Sequence, residues 1–170
     1  MRIALDAMGS DNRPVPDVEG AVAAAREYGI SVVLVGDEAR VKAELAKHQT
    51  TGLSLEVVHA EQEIDMADSP TREALQKEGS SMHVGLNLVE SGDCNGFVSV
   101  GNTGALLSIA TVKKVRRIKG VHRPTLSSIV SFKDRSIILA DVGANVDCKP
   151  EWLAQFALMS NLYAKRAMGV

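Results

Sequence analysis

Apolar residues recur along this chain in two alternating rhythms, short runs and helical stripes. Ile3-Ala4-Leu5 is a short apolar run of the kind that fills a buried strand. It ends in a turn-rich loop, Asp6 to Pro14, after which Val15, Val18, Val22 and Ala25 recur at helical spacing. Ile30 to Val35 is a second strand-like run, closed by Gly36-Asp37. Asp37 is placed to cap a helix that carries Val41 and Leu45 on one face, and Leu53 to Val58 reads as a third strand. The order β-α-β-α-β predicts a parallel sheet with helices on both faces.

Residues 59–79 are less regular and more acidic, with Glu61, Glu63, Asp65 and Asp68, and Ser69-Pro70 can start a short helix. Ser80-Ser81 suits the cap of a further helix with Met82, Leu86 and Val89 in step, ended by Ser91-Gly92-Asp93. Gly96 to Val100 is the next strand; the chain breaks at Gly101 and resumes from Ala105 to Val112, apolar almost all round, as a buried helix. Leu126 to Phe132 and Ile137 to Ala140 are joined by Lys133-Asp134-Arg135, which allows an antiparallel hairpin and no parallel crossover. The expected fold is therefore α/β: a three-layer open sheet, mainly parallel but mixed, with helices on both faces. Pro150 opens a last helix with Trp152, Phe156, Met159 and Tyr163 along one side, and this helix and the Met82 helix are expected to belong to the core. At 170 residues the chain makes one α/β domain or part of a larger one.

Composition narrows the class. The chain is 45% apolar but only 4% aromatic, so its core must come from Val, Ile, Leu, Ala and Met. A net charge of -2 with both signs mixed favours neither nucleic acid nor an anionic membrane as an obligate partner. Cys94 and Cys148 show no CxxC or metal-ligand spacing. The first strand begins at Arg2, which leaves no room for a signal peptide, and no apolar run is long enough to span a bilayer. A cytoplasmic protein with at most peripheral membrane association is expected.

The chemistry gathers where strands end. Gly101 and Gly104 lack Cβ atoms, so a ligand can approach the backbone, and Asn102 and Thr103 suit the N-cap of the helix that follows. Strand, glycine turn and helix N-terminus make an anion site, with phosphate the first candidate. Such joins also serve as tight turns with no ligand. The loop is neither a Walker loop nor a GxGxxG fingerprint, so no nucleotide is implied. Asp6 to Asp11, Gly101 to Gly104 and Asp141 to Asp147 all follow strands, and they line one crevice if those strands are neighbours. Asp6 and Asp141 have an alternative role in bonding the turns that follow them. No carboxylate pair shows magnesium-ligand spacing, so no metal is expected. His48, His59, His83 and His122 stand apart in sequence, and His83 on a predicted helix is the one least easily set aside. Lys113, Lys114, Arg116, Arg117 and Lys119 form a basic run that suits either a solvated helix end or a binding patch. There is no Ser/His/Asp or Cys/His arrangement for covalent catalysis.

These loops carry a resemblance. Asp6-Ala7-Met8-Gly9-Ser10-Asp11, Ser80-Ser81-Met82, Val100-Gly101-Asn102-Thr103-Gly104-Ala105-Leu106, Arg117-Ile118-Lys119-Gly120 with Arg123-Pro124, and Asp141-Val142-Gly143-Ala144-Asn145-Val146-Asp147 resemble the bacterial phosphate acyltransferase (PlsX) family of phospholipid synthesis. The match runs from Arg2 to Gly169. The resemblance implies transfer of a long acyl chain from acyl carrier protein to inorganic phosphate, a homodimer, and no cofactor. It also implies a fold similar to phosphotransacetylase and to the isocitrate and isopropylmalate dehydrogenases. Under it, backbone N–H groups around Gly101 to Gly104, with Asn102, Thr103, Ser80 and Ser81, are candidates for holding phosphate. Asn102, Asn145, Lys149, Asp6 and Asp141 are the candidate catalytic groups. Asp6, Asp11, Asp141 and Asp147 are read as acceptors that orient hydrogen-bond donors rather than as bases that abstract protons. The basic run is the candidate surface for the acidic carrier protein.

The sequence departs from the family pattern in several places. Ser10 stands where a second glycine is usual, Asn12-Arg13 replaces a His-Ala-like pair, Gly79 replaces an aspartate and Cys148 an alanine. Family members are considerably longer, so the chain corresponds to an N-terminal portion. Two other readings stay open: a truncated, non-catalytic relative that binds acyl carrier protein, and a dehydrogenase-like enzyme of the same fold.

Overall fold

A computed structural model describes residues 1–114, 118–133, 135–145 and 147–169, the side chains of Phe132 and Arg135 excepted. The chain divides into two compact units, Met1–Arg116 and Arg117–Val170.

The first unit is built on four parallel strands in the order β3-β2-β1-β4: β1 (Arg2–Asp6), β2 (Ser31–Gly36), β3 (Leu55–His59) and β4 (Gly96–Val98). Alternation along β2 shows why the sheet is covered on both faces. Val32 and Leu34 pack with Val18, Ala21, Val22 and Ala25 of α1 (Val15–Tyr28) and Val41 of α2 (Glu38–Leu45). Val33 and Val35 turn the other way, towards Val84, Leu88 and Val89 of α4 (Ser81–Glu90). Each such fully buried side chain contributes about 1.5–3 kcal/mol. Asp37 caps α2 as expected, its Oδ1 accepting from the Arg40 N–H at 2.8 Å. A further cluster joins Ala74 of the short α3 (Glu73–Gln76), Met82 and Leu86 of α4, and Ala105 and Ile109 of α5 (Thr103–Ile109). α5 runs on into a π-helical turn, Ala110–Lys114.

The second unit pairs β5 (Ser127–Phe132) and β6 (Arg135–Ala140) antiparallel, as the short connection requires. Lys133 in the turn has φ 55°, the left-handed conformation of tight hairpins. The hairpin is a sheet of its own, so the expected mixed character resolves into a parallel sheet and a separate antiparallel pair. α6 (Pro150–Tyr163) follows, with a second π-helical turn at Ala164–Met168. One expectation is corrected here: among the described residues of α6 only Phe156 is buried, while Leu153, Leu158, Leu162 and Tyr163 are exposed. Along the expected stripe Phe156 is buried, Trp152 and Met159 are half-buried and Tyr163 is exposed, while the exposed leucines lie off it.

Candidate functional site

In a parallel sheet the carboxyl ends of neighbouring strands open onto one crevice. β1 and β4 are neighbours here, so Asp6 and the turn after Val98 meet directly. Asp6 is 2% exposed. Its Oδ1 accepts from the Met8 N–H at 3.0 Å and its Oδ2 from the Ser99 hydroxyl at 2.8 Å. Ser99 Oγ in turn accepts from the Gly101 N–H at 3.1 Å. Asp6 therefore ties the loop after β1 to the loop after β4 through Ser99. The two backbones touch: a Cβ on Gly101 would sit 3.3 Å from the Gly9 Cα and 2.8 Å from Met82 Cε. The first turn of α4 thus reaches the same place as the start of α5.

The room left by the two glycines is taken by the chain itself. A Cβ on Gly104 would lie 2.9 Å from Pro70 Cγ. Asn102 caps α5, its Oδ1 accepting from the Ala105 N–H at 3.0 Å. Its Nδ2 donates to the carbonyls of Asp65, Met66 and Asp68 at 3.3, 3.4 and 3.1 Å. Its side chain is thus engaged at both ends and clamps the acidic segment 65–70 over the start of α5. That segment is further held by Arg13 to Asp65 and by Lys77 to Asp68 at 2.5 Å, and Glu63 just before it pairs with Arg13 and Arg40. Thr103 is exposed at the first position of α5. Ser80 is the N-cap of α4 and wholly buried, yet its hydroxyl makes no capping bond and has no partner among the described residues. Ser81, beside it, is 2% exposed. His83 is buried in the same helix, with Nε2 bonded to the Ala74 carbonyl at 3.0 Å and Nδ1 without a partner among the described residues. Burial pushes its pKa down, so the ring is neutral at physiological pH.

Asp17 is a residue that sequence reasoning passes over. It sits off the Val15, Val18, Val22 stripe, where a solvated carboxylate is expected. It is 7% exposed and accepts from the Ser10 hydroxyl at 2.6 Å. Burial raises its pKa, and the charge of Asp6 adds to that. No sequence motif links Ser10 and Asp17.

The third glycine loop belongs to the second unit, and its polar groups bond to one another. Asp141 has φ 61°, a strained conformation for a residue with a Cβ. Its Oδ1 accepts from Asn145 Nδ2 at 3.0 Å and its Oδ2 from the Cys148 thiol at 3.2 Å. Asn145 Nδ2 also donates to the Pro124 carbonyl at 3.3 Å. The bond to Asp141 pushes the Cys148 thiol up. Lys149 lies over the ring of Trp152. Asp11 and Asp147 are exposed. In the basic run, Lys113 pairs with Glu78 at 2.5 Å, Lys114 is half-buried and Lys119 exposed; Arg116 and Arg117 lie outside the described residues. Among the described residues no group of three or more His, Cys, Asp or Glu side chains is placed to hold a metal, and no helix is long and apolar enough to cross a membrane.

Residues 1–170 match the fatty acid synthesis protein family. The chain belongs to this family. Similar proteins include the phosphate acyltransferases of Geobacter sulfurreducens, 44% identical, and of Geotalea uraniireducens, 46% identical. Both alignments take in 100% of the chain and 49% of the relative, so this family member spans about half the length of the curated relatives it matches. Among solved structures, a phosphotransacetylase from Streptococcus pyogenes superposes with a TM-score of 0.67 at 17% identity, over 97% of this chain and 54% of that one. The fatty acid synthesis family member therefore shares the phosphotransacetylase-like α/β fold.

Proposed function

We propose that this chain serves the transfer of an acyl group from the thioester of acyl carrier protein to inorganic phosphate, giving acyl phosphate for phospholipid synthesis. The observation that carries the reading is the match of all 170 residues to a family whose similar members are named phosphate acyltransferases. The convergence at Gly9, Ser99 and Gly101 supports it. In this reading phosphate meets the exposed Thr103 and the N–H groups of Thr103 and Gly104 at the start of α5, and the buried Ser80 and Ser81 hydroxyls in the first turn of α4 are reached only if the loops part. Asn102 acts by shaping that start, since its own amide is already engaged. Asp6 positions the two loops through Ser99, and Asp141 with Asn145 fixes the second-unit loop.

A phosphate oxygen attacks the thioester carbonyl carbon, the C–S bond breaks, and the phosphate proton passes to the departing thiolate. Hydrogen phosphate and acyl thioester thus become acyl phosphate and free thiol. Phosphate is its own nucleophile, so positioning and stabilisation of the oxyanion are the tasks left to the protein. The basic residues Lys113, Lys114, Arg116, Arg117 and Lys119 receive the acidic carrier, and the working form is a homodimer.

The test is to mix acyl carrier protein thioester, phosphate and the protein, and to trap acyl phosphate as its hydroxamate. Phosphate-dependent hydroxamate is expected. Carrier binding without any acyl phosphate, from a preparation whose fold is intact, decides for the non-catalytic relative.

A further inference from the structure

Outside the glycine loops, one ring collects charge. Trp152 is the single tryptophan of the chain, half-buried in the first turn of α6. The Arg123 guanidinium carbon lies 5.2 Å from the centre of its ring, and Lys149 Nζ lies 5.7 Å from it. The arrangement is anchored on either side of Arg123. Gln155 Nε2 donates to the Gly120 carbonyl at 2.9 Å, and Gln155 Oε1 accepts from the His122 N–H at 2.9 Å. On the other side, the Pro124 carbonyl accepts from Asn145. Arg123 is thus presented to Trp152 by bonds to both neighbouring residues.

Arg123 and Lys149 are exposed, and neither side chain makes an ion pair or hydrogen bond with a described residue. Asp147 and Glu151, the carboxylates nearest Lys149 in sequence, pair with neither cation. A cation over an exposed aromatic ring gains about 0.5–1 kcal/mol, and a second like charge on the same ring works against that gain. An anion that spans both cations removes the conflict. The guanidinium fork matches phosphate oxygens in pairs, and the ammonium adds a point charge. The ring that both cations approach, with exposed Leu153 on the same turn, adds an apolar wall. A bare ion has no use for that wall; the carbon skeleton of an ester does.

We propose that Arg123, Lys149 and Trp152 seat the phosphate ester of an organic arm. Its identification with the phosphate-bearing, amide-rich arm of a thioester carrier rests on the proposed function. The seat separates carriers by their phosphate ester, a task distinct from holding the inorganic phosphate that reacts.

Because Trp152 is the only tryptophan, its emission reports on the seat directly. The intact chain is titrated with pantetheine 4′-phosphate, with pantetheine and with inorganic phosphate. A saturable change with the phosphate ester is expected, at least about tenfold tighter than with either of the others. Arg123→Gln and Lys149→Gln should each weaken it about tenfold, with Arg123→Lys intermediate. Equal affinity for pantetheine, or for inorganic phosphate, overturns the proposal and requires no variant to fold. Retained affinity in both Gln variants also overturns it. Acyl phosphate formation is read separately: turnover with a silent Trp152 removes the seat and leaves the function, and a discriminating Trp152 without turnover does the reverse.

Discussion

Asp17 and Cys148 are two ionisable groups whose behaviour follows from what they touch. Asp17 is buried beside Asp6 and accepts from the Ser10 hydroxyl, and burial raises its pKa above the usual carboxylate value. A carboxyl raised on folding contributes stability only below its unfolded value, about 4, and that contribution is lost as pH rises through the folded value. At neutral pH the charge is therefore a net cost. Asp17→Asn keeps an acceptor for Ser10 and removes the charge. It should raise Tm by roughly 2–4 °C near pH 7 and leave it unchanged near pH 3.5. An equal shift at both pH values, in thermal melts followed by circular dichroism, would assign the effect to packing. Cys148 donates its thiol proton to Asp141, which disfavours the thiolate that a covalent route needs. Cys148→Ala should leave acyl transfer within about twofold in a full-length background, with intersecting initial-rate lines. Parallel lines, or an acyl group found on Cys148 by mass spectrometry, would overturn direct attack by phosphate.

Glycines show the same dependence on surroundings at the scale of whole elements. Gly20, inside α1, has nothing within 4 Å of where a Cβ would stand. Gly20→Ala should stabilise the protein by about 0.5–1 kcal/mol. Gly104, at the start of α5, faces the Pro70 ring on a segment fixed by Asn102, Arg13 and Lys77. Gly104→Ala should therefore cost about 1–3 kcal/mol by overpacking and speed hydrogen exchange at the Asp65 and Asp68 amides. Unchanged exchange there would show that the segment does not bear on α5. These contrasts mark what is legible in a sequence. β1, β2, α1, α2 and α4 follow from periodicity, because their partners lie on one sheet with a fixed alternation of faces. The glycine loops are legible because small residues end strands there. The 61–72 segment is not, since it is held by ion pairs from Arg13 and Arg40 across long stretches of chain. Nor is the loss of α5 to a π-helical turn at Ala110, which no pattern of apolar residues announces. Asp17, bonded to Ser10 across the loop before α1, is equally invisible to periodicity.

Across the whole molecule, apolar surface is shared unevenly between the two units. In the first, the sheet is sandwiched and its valines are buried. In the second, Val130 and Ile137 oppose each other across the hairpin, with Leu139 two residues further along the same face. They are 39%, 52% and 52% exposed. A two-stranded hairpin is marginal alone, and both of its strands are edges. Three neighbouring aliphatic side chains on such a hairpin form an adherent patch rather than scattered exposure. The chain should therefore bind the dye ANS well below its melting temperature. Ile137→Lys puts a charge at the centre of the patch. Since Ile137 is half in water already, the substitution should change stability by no more than about 0.5 kcal/mol. ANS emission should fall by roughly half or more if apolar contact with this face carries the binding. Undiminished emission with an unchanged Tm would place the exposed apolar surface elsewhere, on the Leu153, Leu158 and Leu162 side of α6.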